Sequence, residues 1–146
     1  MAFSQKTSTP SVDTFSHAIK KCRSRETSGA PEERSEKNPS RGQCLATALL
    51  ANEVLWLSVY AEKLTLASRT LYHYFNKNEN DEDYRFCAEQ LTHFEILERQ
   101  KERLLGKDQL NVLLEQNPGI QQRYALLKKT FQREILQNLE LRFSKG

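Results

Sequence analysis

The stretch Asn38-Pro39-Ser40-Arg41-Gly42-Gln43-Cys44-Leu45-Ala46-Thr47-Ala48-Leu49-Leu50-Ala51-Asn52 limits what this chain can fold into more than any other. Pro39 and Gly42 interrupt any helix that precedes them. Ser40 is a capping residue for a new one. From Cys44 to Val54 the residues are helix-favouring and apolar, with Leu45, Ala48, Leu49 and Ala51 at buried-face spacing. A buried helix that opens at Cys44 is therefore expected. A helix start carries a partial positive charge and unpaired N–H groups, and both favour thiolate over thiol. Cys44 is thus either a nucleophile of lowered pKa or a small apolar side chain in the core.

With 146 residues, one domain is expected: a tail at 1–12, then a single unit at 13–146. That unit divides into a short helix at 13–23, a polar loop at 24–42 and a core at 43–146. The net charge of +3 comes from residues 1–42; the remainder is neutral. No dense basic block with interleaved aromatics occurs, which argues against nucleic acid as a partner. Three widely spaced cysteines, Cys22, Cys44 and Cys87, fit free thiols in a reducing compartment. No Cys-x-x-Cys pair is present, and no metal, nucleotide or flavin motif points to a cofactor. The apolar run 44–61 is short and carries Asn52 and Glu53, so it reads as core rather than a membrane span. The first fifteen residues lack a signal-peptide core. A cytoplasmic protein without membrane contact is expected.

Along the chain, residues 1–12 read as disordered. Asp13 or Thr14 can cap a helix bearing Phe15, Ala18, Ile19 and Cys22 on one side. A polar loop as long as 24–42 is often functional. Residues 57–76 carry two patterns at once. Leu50, Val54, Leu57, Ala61, Leu64, Ser68, Leu71 and Phe75 alternate spacings of four and three, which extends the helix and predicts an all-α bundle. Leu64 and Leu66, then Leu71, His73 and Phe75, also follow a period of two, with Ala67-Ser68-Arg69 as a turn. Lys77 to Asp83 would then be a second turn, leading to a strand at Tyr84-Arg85-Phe86. Ala88 to Leu105 reads as helix, with Gly106 as its C-cap. Asp108 caps a short helix carrying Leu110, Leu113 and Leu114. Pro118 opens the last helix, whose stripe is Ile120, Tyr124, Leu127, Phe131, Ile135 and Leu139.

Three separated pieces resemble the YunG-like proteins, a group of small, mostly bacterial proteins. The first runs from Ser24-Arg25-Glu26-Thr27-Ser28 through Pro31-Glu32-Glu33 to Asn38-Pro39-Ser40-Arg41-Gly42-Gln43-Cys44, with Thr47-Ala48-Leu49 after it. The second is His73-Tyr74-Phe75-Asn76, and the third is Glu89-Gln90 followed by Leu91. A weaker similarity lies at Arg123-Tyr124-Ala125-Leu126-Leu127-Lys128. The resemblance covers roughly residues 14–135. It implies an α+β fold in which a central helix starting at Cys44 packs on a small antiparallel sheet at about 57–86, followed by C-terminal helices. That layout is similar to papain-like cysteine enzymes.

The resemblance also implies a chemistry. Cys44 would be the nucleophile, His73 its base, and the Gln43 and Cys44 amides the oxyanion donors. The activity would be a cysteine-dependent hydrolase or acyl transferase on a peptide or amide bond, with a protein or peptide as substrate. Two departures set this chain apart. Arg85 stands where the family has an aspartate, and Trp56-Leu57 stands where it has a Gly-Gly pair. Asn76, Asp81 or Asp83 are the candidates to orient the imidazole in place of that aspartate. The departures favour the alternative of a catalytically inactive binding module; without the resemblance, the alternative is a small all-helical adaptor in which Cys44 is core.

Overall fold

The computed structural model describes residues 10–23, 43–67, 69–87 and 95–145, with side chains as far as residue 137. The tail to residue 9, the 24–42 loop, Ser68 and the Glu89-Gln90-Leu91 piece lie outside the described residues. Helix α1 (Val12–Cys22) is capped by Ser11, whose hydroxyl accepts from the Thr14 N–H at 3.1 Å. The cap is therefore Ser11 rather than Asp13 or Thr14. Asp13 sits in the first turn, where its charge suits the helix dipole. The expected face is the buried one: Phe15, Ala18, Ile19 and Cys22.

Helix α2 (Cys44–Leu55) starts where the composition changes, with Gln43 at the N-cap. Every residue from Cys44 to Ala51 is buried, the condition of a helix packed on more than one side. Ala46, Leu50, Ala51 and Val54 join α1 and Leu127 and Phe131 of α4 (Pro118–Lys145) in one cluster. Ala48 faces the other way, onto Val59, Ala61 and Leu105 of the sheet. Tyr124 and Lys128 of α4 both bind Glu53 of α2, each at 2.7 Å.

The helix does not continue past Leu55. Trp56 takes the left-handed conformation, with φ 62°, and Asn52 donates to the Leu57 carbonyl at 2.8 Å. A left-handed residue after a helix is most often glycine, which has no Cβ to clash. This is one of the two positions where the resembled family carries glycines. Trp56 is 62% exposed, so little packing holds it there. Trp56→Gly is expected to raise stability by about 0.5–1 kcal/mol, read as a higher urea midpoint at unchanged slope.

Beyond this break the period of two prevails, and the all-α alternative does not form. Strands β1 (Ser58–Leu66) and β2 (Thr70–Lys77) pair antiparallel from Ser58↔Lys77 to Thr65↔Thr70. The Leu66 N–H donates to the Arg69 carbonyl at 2.8 Å across the connecting turn. Strand β3 (Asp83–Tyr84) is shorter than the expected 84–86 and pairs with the end of β2. The expected helix over 88–105 is corrected from residue 95 on; residues 88–94 lie outside the described residues. Ile96–Arg99 forms β4 and Arg103–Leu105 forms β5, both on the free edge of β1. Backbone pairing along that open edge prevails at Leu97, Leu104 and Leu105 over the helical reading of their spacing. Gly106 consequently starts a helix rather than ending one. It is the N-cap of α3 (Lys107–Gln116), and its N–H donates to Gln109 Oε1 at 2.6 Å.

The sheet order is β3-β2-β1-β4, with β5 also on β1. The result is α+β, with α2 as the middle layer between the sheet and α1 and α4. Among the described residues, no helix is long and apolar enough to cross a membrane.

Candidate functional site

Cys44 opens α2, with Gln43 at its N-cap. Gln43 is fully buried and Cys44 is 8% exposed. The Gln43 carbonyl accepts from the Thr47 N–H at 3.0 Å, but its side chain does not cap the helix. Ala48, one turn after Cys44 on the same side of α2, packs beside Tyr74 of β2. Burial raises the Tyr74 phenol above its ordinary 10.0, the charges of Cys44 and Tyr72 raise it further, and Arg103 opposes them.

His73 is fully buried on β2, directly opposite Glu62 of β1. Its Nδ1 lies 3.3 Å from Glu62 Oε1. The same carboxylate oxygen accepts from Arg85 Nη1 at 2.8 Å and from Arg99 Nη1 at 2.9 Å. Arg85 also binds Asp83 at 3.1 Å and lies 3.8 Å over the Phe75 ring. Burial alone would raise the Glu62 pKa, but the Arg85 hydrogen bond and charge, the His73 hydrogen bond and the Arg99 charge together hold it below 4.5. Burial holds the His73 pKa below 6.5; Glu62 pulls it up, while Arg85 and Arg99 push it down. The ring is therefore neutral at pH 7, and we assign its proton to Nδ1, which faces the Glu62 carboxylate; Arg85 Nη1, also 3.3 Å from Nδ1, donates to Glu62 at the shorter 2.8 Å. Nε2 is then a buried acceptor with no hydrogen-bond partner among the described residues.

The β1–β2 register sets His73 on the face of β2 that looks away from α2. His73 and Tyr74 are consecutive on β2, so their side chains leave on opposite faces. Tyr74 and Asn76 face α2; Asn76 Nδ2 donates to the Ala48 carbonyl at 3.1 Å. His73 and Phe75 face Glu62 and Arg85. Neither imidazole nitrogen is hydrogen-bonded to the Cys44 sulfur. Of the candidates for an orienting group, Asn76 is taken up by α2. Asp81 binds Lys77 at 3.2 Å, and Asp83 binds Lys77 at 3.4 Å as well as Arg85. The carboxylate that does hold the ring, Glu62, is absent from the sequence reading. Its only signal is a charged residue at an alternating position of β1, which means nothing until the register sets it against His73.

A cavity of about 460 Å³ opens on the α2 face of the sheet, between β2, β5 and α3. Tyr72, Tyr74, Arg103, Leu105, Asp108 and Leu113 are among its walls. Among the described residues, no group of three or more His, Cys, Asp or Glu side chains is arranged to hold a metal ion.

No curated protein and no solved structure matches this chain. A family model described as YunG protein matches residues 11–136, a span that takes in α1, α2, the whole sheet, α3 and most of α4. The three sequence pieces, the glycine-favouring turn at Trp56 and this match agree, and the chain belongs to the YunG family.

Proposed function

We propose that this YunG-family chain is a binding module in which Cys44 and His73 do not act as a catalytic pair. The observation that carries this reading is the His73 ring, held by Glu62 on the face of β2 opposite to Tyr74. A base must reach the proton it removes, directly or through one water. Arg85 points the same way: it occupies the family's aspartate position and spends its charge on Glu62. His73 and Glu62 then serve to bury the strand pair, and ligand recognition falls to the α2 face.

A second reading keeps thiol-dependent cleavage of an amide bond, with Cys44 as nucleophile and the Gln43 and Cys44 amides as oxyanion donors. The start of α2, left uncapped by the Gln43 side chain, favours it. One titration separates the two. Thiol alkylation is followed against pH in a Cys22→Ala, Cys87→Ala background, with and without His73→Gln. Cys22 contributes little in any case, since burial and then Glu134 push its pKa up to about 11 against the opposing charge of Lys21. The binding reading expects Cys44 to titrate at about 8.5 or above, unchanged by His73→Gln. A titration at about 7 or below that moves up on His73→Gln would establish the catalytic pair instead.

A further inference from the structure

We propose that the cavity between β2, β5 and α3 binds a small organic monocarboxylate bearing an aromatic or branched apolar group. The proposal rests on the binding reading above and names the ligand class of that module.

The register brings two of the cavity's walls into one row. Arg103 on β5 is opposite Ala61 on β1, and Ala61 is opposite Tyr74 on β2. These three residues form one row across the sheet, on the face toward α2 and α3. Tyr74 and Arg103, the two long side chains of that row, both wall the cavity. Leu105 and Leu113 pack beside it on the Ala48, Val59 and Ala61 cluster, so its floor is apolar. Tyr72, half exposed, stands at its mouth. A cavity of about 460 Å³ lies in the ordinary range for a single small molecule.

The charge decides the ligand class. Arg85, Arg99 and Lys77 each hold carboxylates of this chain. Arg103 has no hydrogen bond or ion pair among the described residues, although Asp108 lines the same cavity. A guanidinium fork is shaped for a carboxylate, and beside two phenols and an apolar floor it favours an anion with a flat or branched tail. Asp108 disfavours a second negative charge on the ligand, so the class is monocarboxylate.

The test uses the full chain and N-acetyl-L-phenylalaninate, followed by calorimetry and by chemical shifts of the cavity residues at constant ionic strength. The expected dissociation constant is on the order of 1 mM for a probe of this size. N-acetyl-L-phenylalaninamide, equal in shape but uncharged, is expected to bind about 10-fold more weakly or worse. Arg103→Ala should lose the acid by a similar factor, and Arg103→Lys should retain part of the affinity. Arg103 is exposed, so both variants should stay folded, which circular dichroism checks. Equal binding of acid and amide, affinity unchanged in Arg103→Ala, or no binding of the acid at about 10 mM would each overturn the carboxylate site. Recovery of intact probe is expected. Release of acetate and phenylalanine would overturn the binding-module reading while leaving the carboxylate site standing.

Discussion

Phe131→Ala is expected to lower the stability of this protein by about 3–5 kcal/mol, more than any exposed substitution on the same helix. Phe131 is 1% exposed and sits 5.2 Å from the Phe15 ring, which in turn lies 4.9 Å from Phe86. This chain of rings joins α4 and α1 to the segment after β3. Truncation forfeits the buried apolar area and leaves a cavity that three differently anchored elements cannot close together. It also removes a tilted aromatic contact worth about 1 kcal/mol. Urea unfolding should show the whole loss as a lower midpoint at unchanged slope. Leu126→Ala, at a 39% exposed position of the same helix, should cost about 0.5 kcal/mol or less. A loss below about 1 kcal/mol for Phe131→Ala would mean that α4 is not docked on α1 as described.

Glu62→Ala should cost about 2–4 kcal/mol, the second largest effect. Glu62 is 4% exposed and holds His73, Arg85 and Arg99 on one oxygen. Its loss does not orphan all three. Arg99 is half exposed and turns to water, and Arg85 keeps Asp83. His73 has neither outlet, because its ring is fully buried. The cost is mainly the unsatisfied buried donor of His73, with a smaller loss from the Arg85 and Arg99 ion pairs. Glu62→Gln, which retains an acceptor for Nδ1, should cost markedly less.

The same cluster sets an acid dependence, and its sign follows from the direction of the shift. The folded-state pKa of His73 lies below 6.5, so near that pH the unfolded chain binds a proton that the folded chain refuses. Stability is therefore fully present above about pH 6.5 and declines as the pH falls from there toward the folded-state pKa. Glu62, whose pKa is held below 4.5, adds a second decline under that value. His73→Gln should abolish the first decline and leave the second. A denaturation midpoint flat from pH 7 to pH 5 in the unsubstituted chain would contradict a neutral, buried His73.

Some of this architecture could be read from local chemistry. The change from Pro39 and Gly42 to a run of leucine and alanine marks the start of α2, because propensity and capping act within a few residues of chain. Pro118 and the stripe through Tyr124, Leu127 and Phe131 mark α4 for the same reason. In residues 57–76 the helical and strand spacings coexist in the same leucines. There the resemblance to the family, not periodicity, pointed to strands, and a left-handed Trp56 is the physical break that separates them from α2. The 95–105 segment misled because strand pairing on an open edge depends on a partner far away in sequence, β1, which no local pattern contains.

The chain's own residues determined that a cysteine would open a buried helix; that a histidine would lie on a strand after it came from the resemblance to the family. Tertiary structure alone decided what each one meets. Alternation along β2 sends His73 and Tyr74 to opposite faces, and the β1–β2 register then gives the imidazole Glu62 and Arg85 while the cysteine's helix faces Tyr74. Register is a property of two strands at once, so a one-residue change in pairing would exchange those faces without altering a single amino acid.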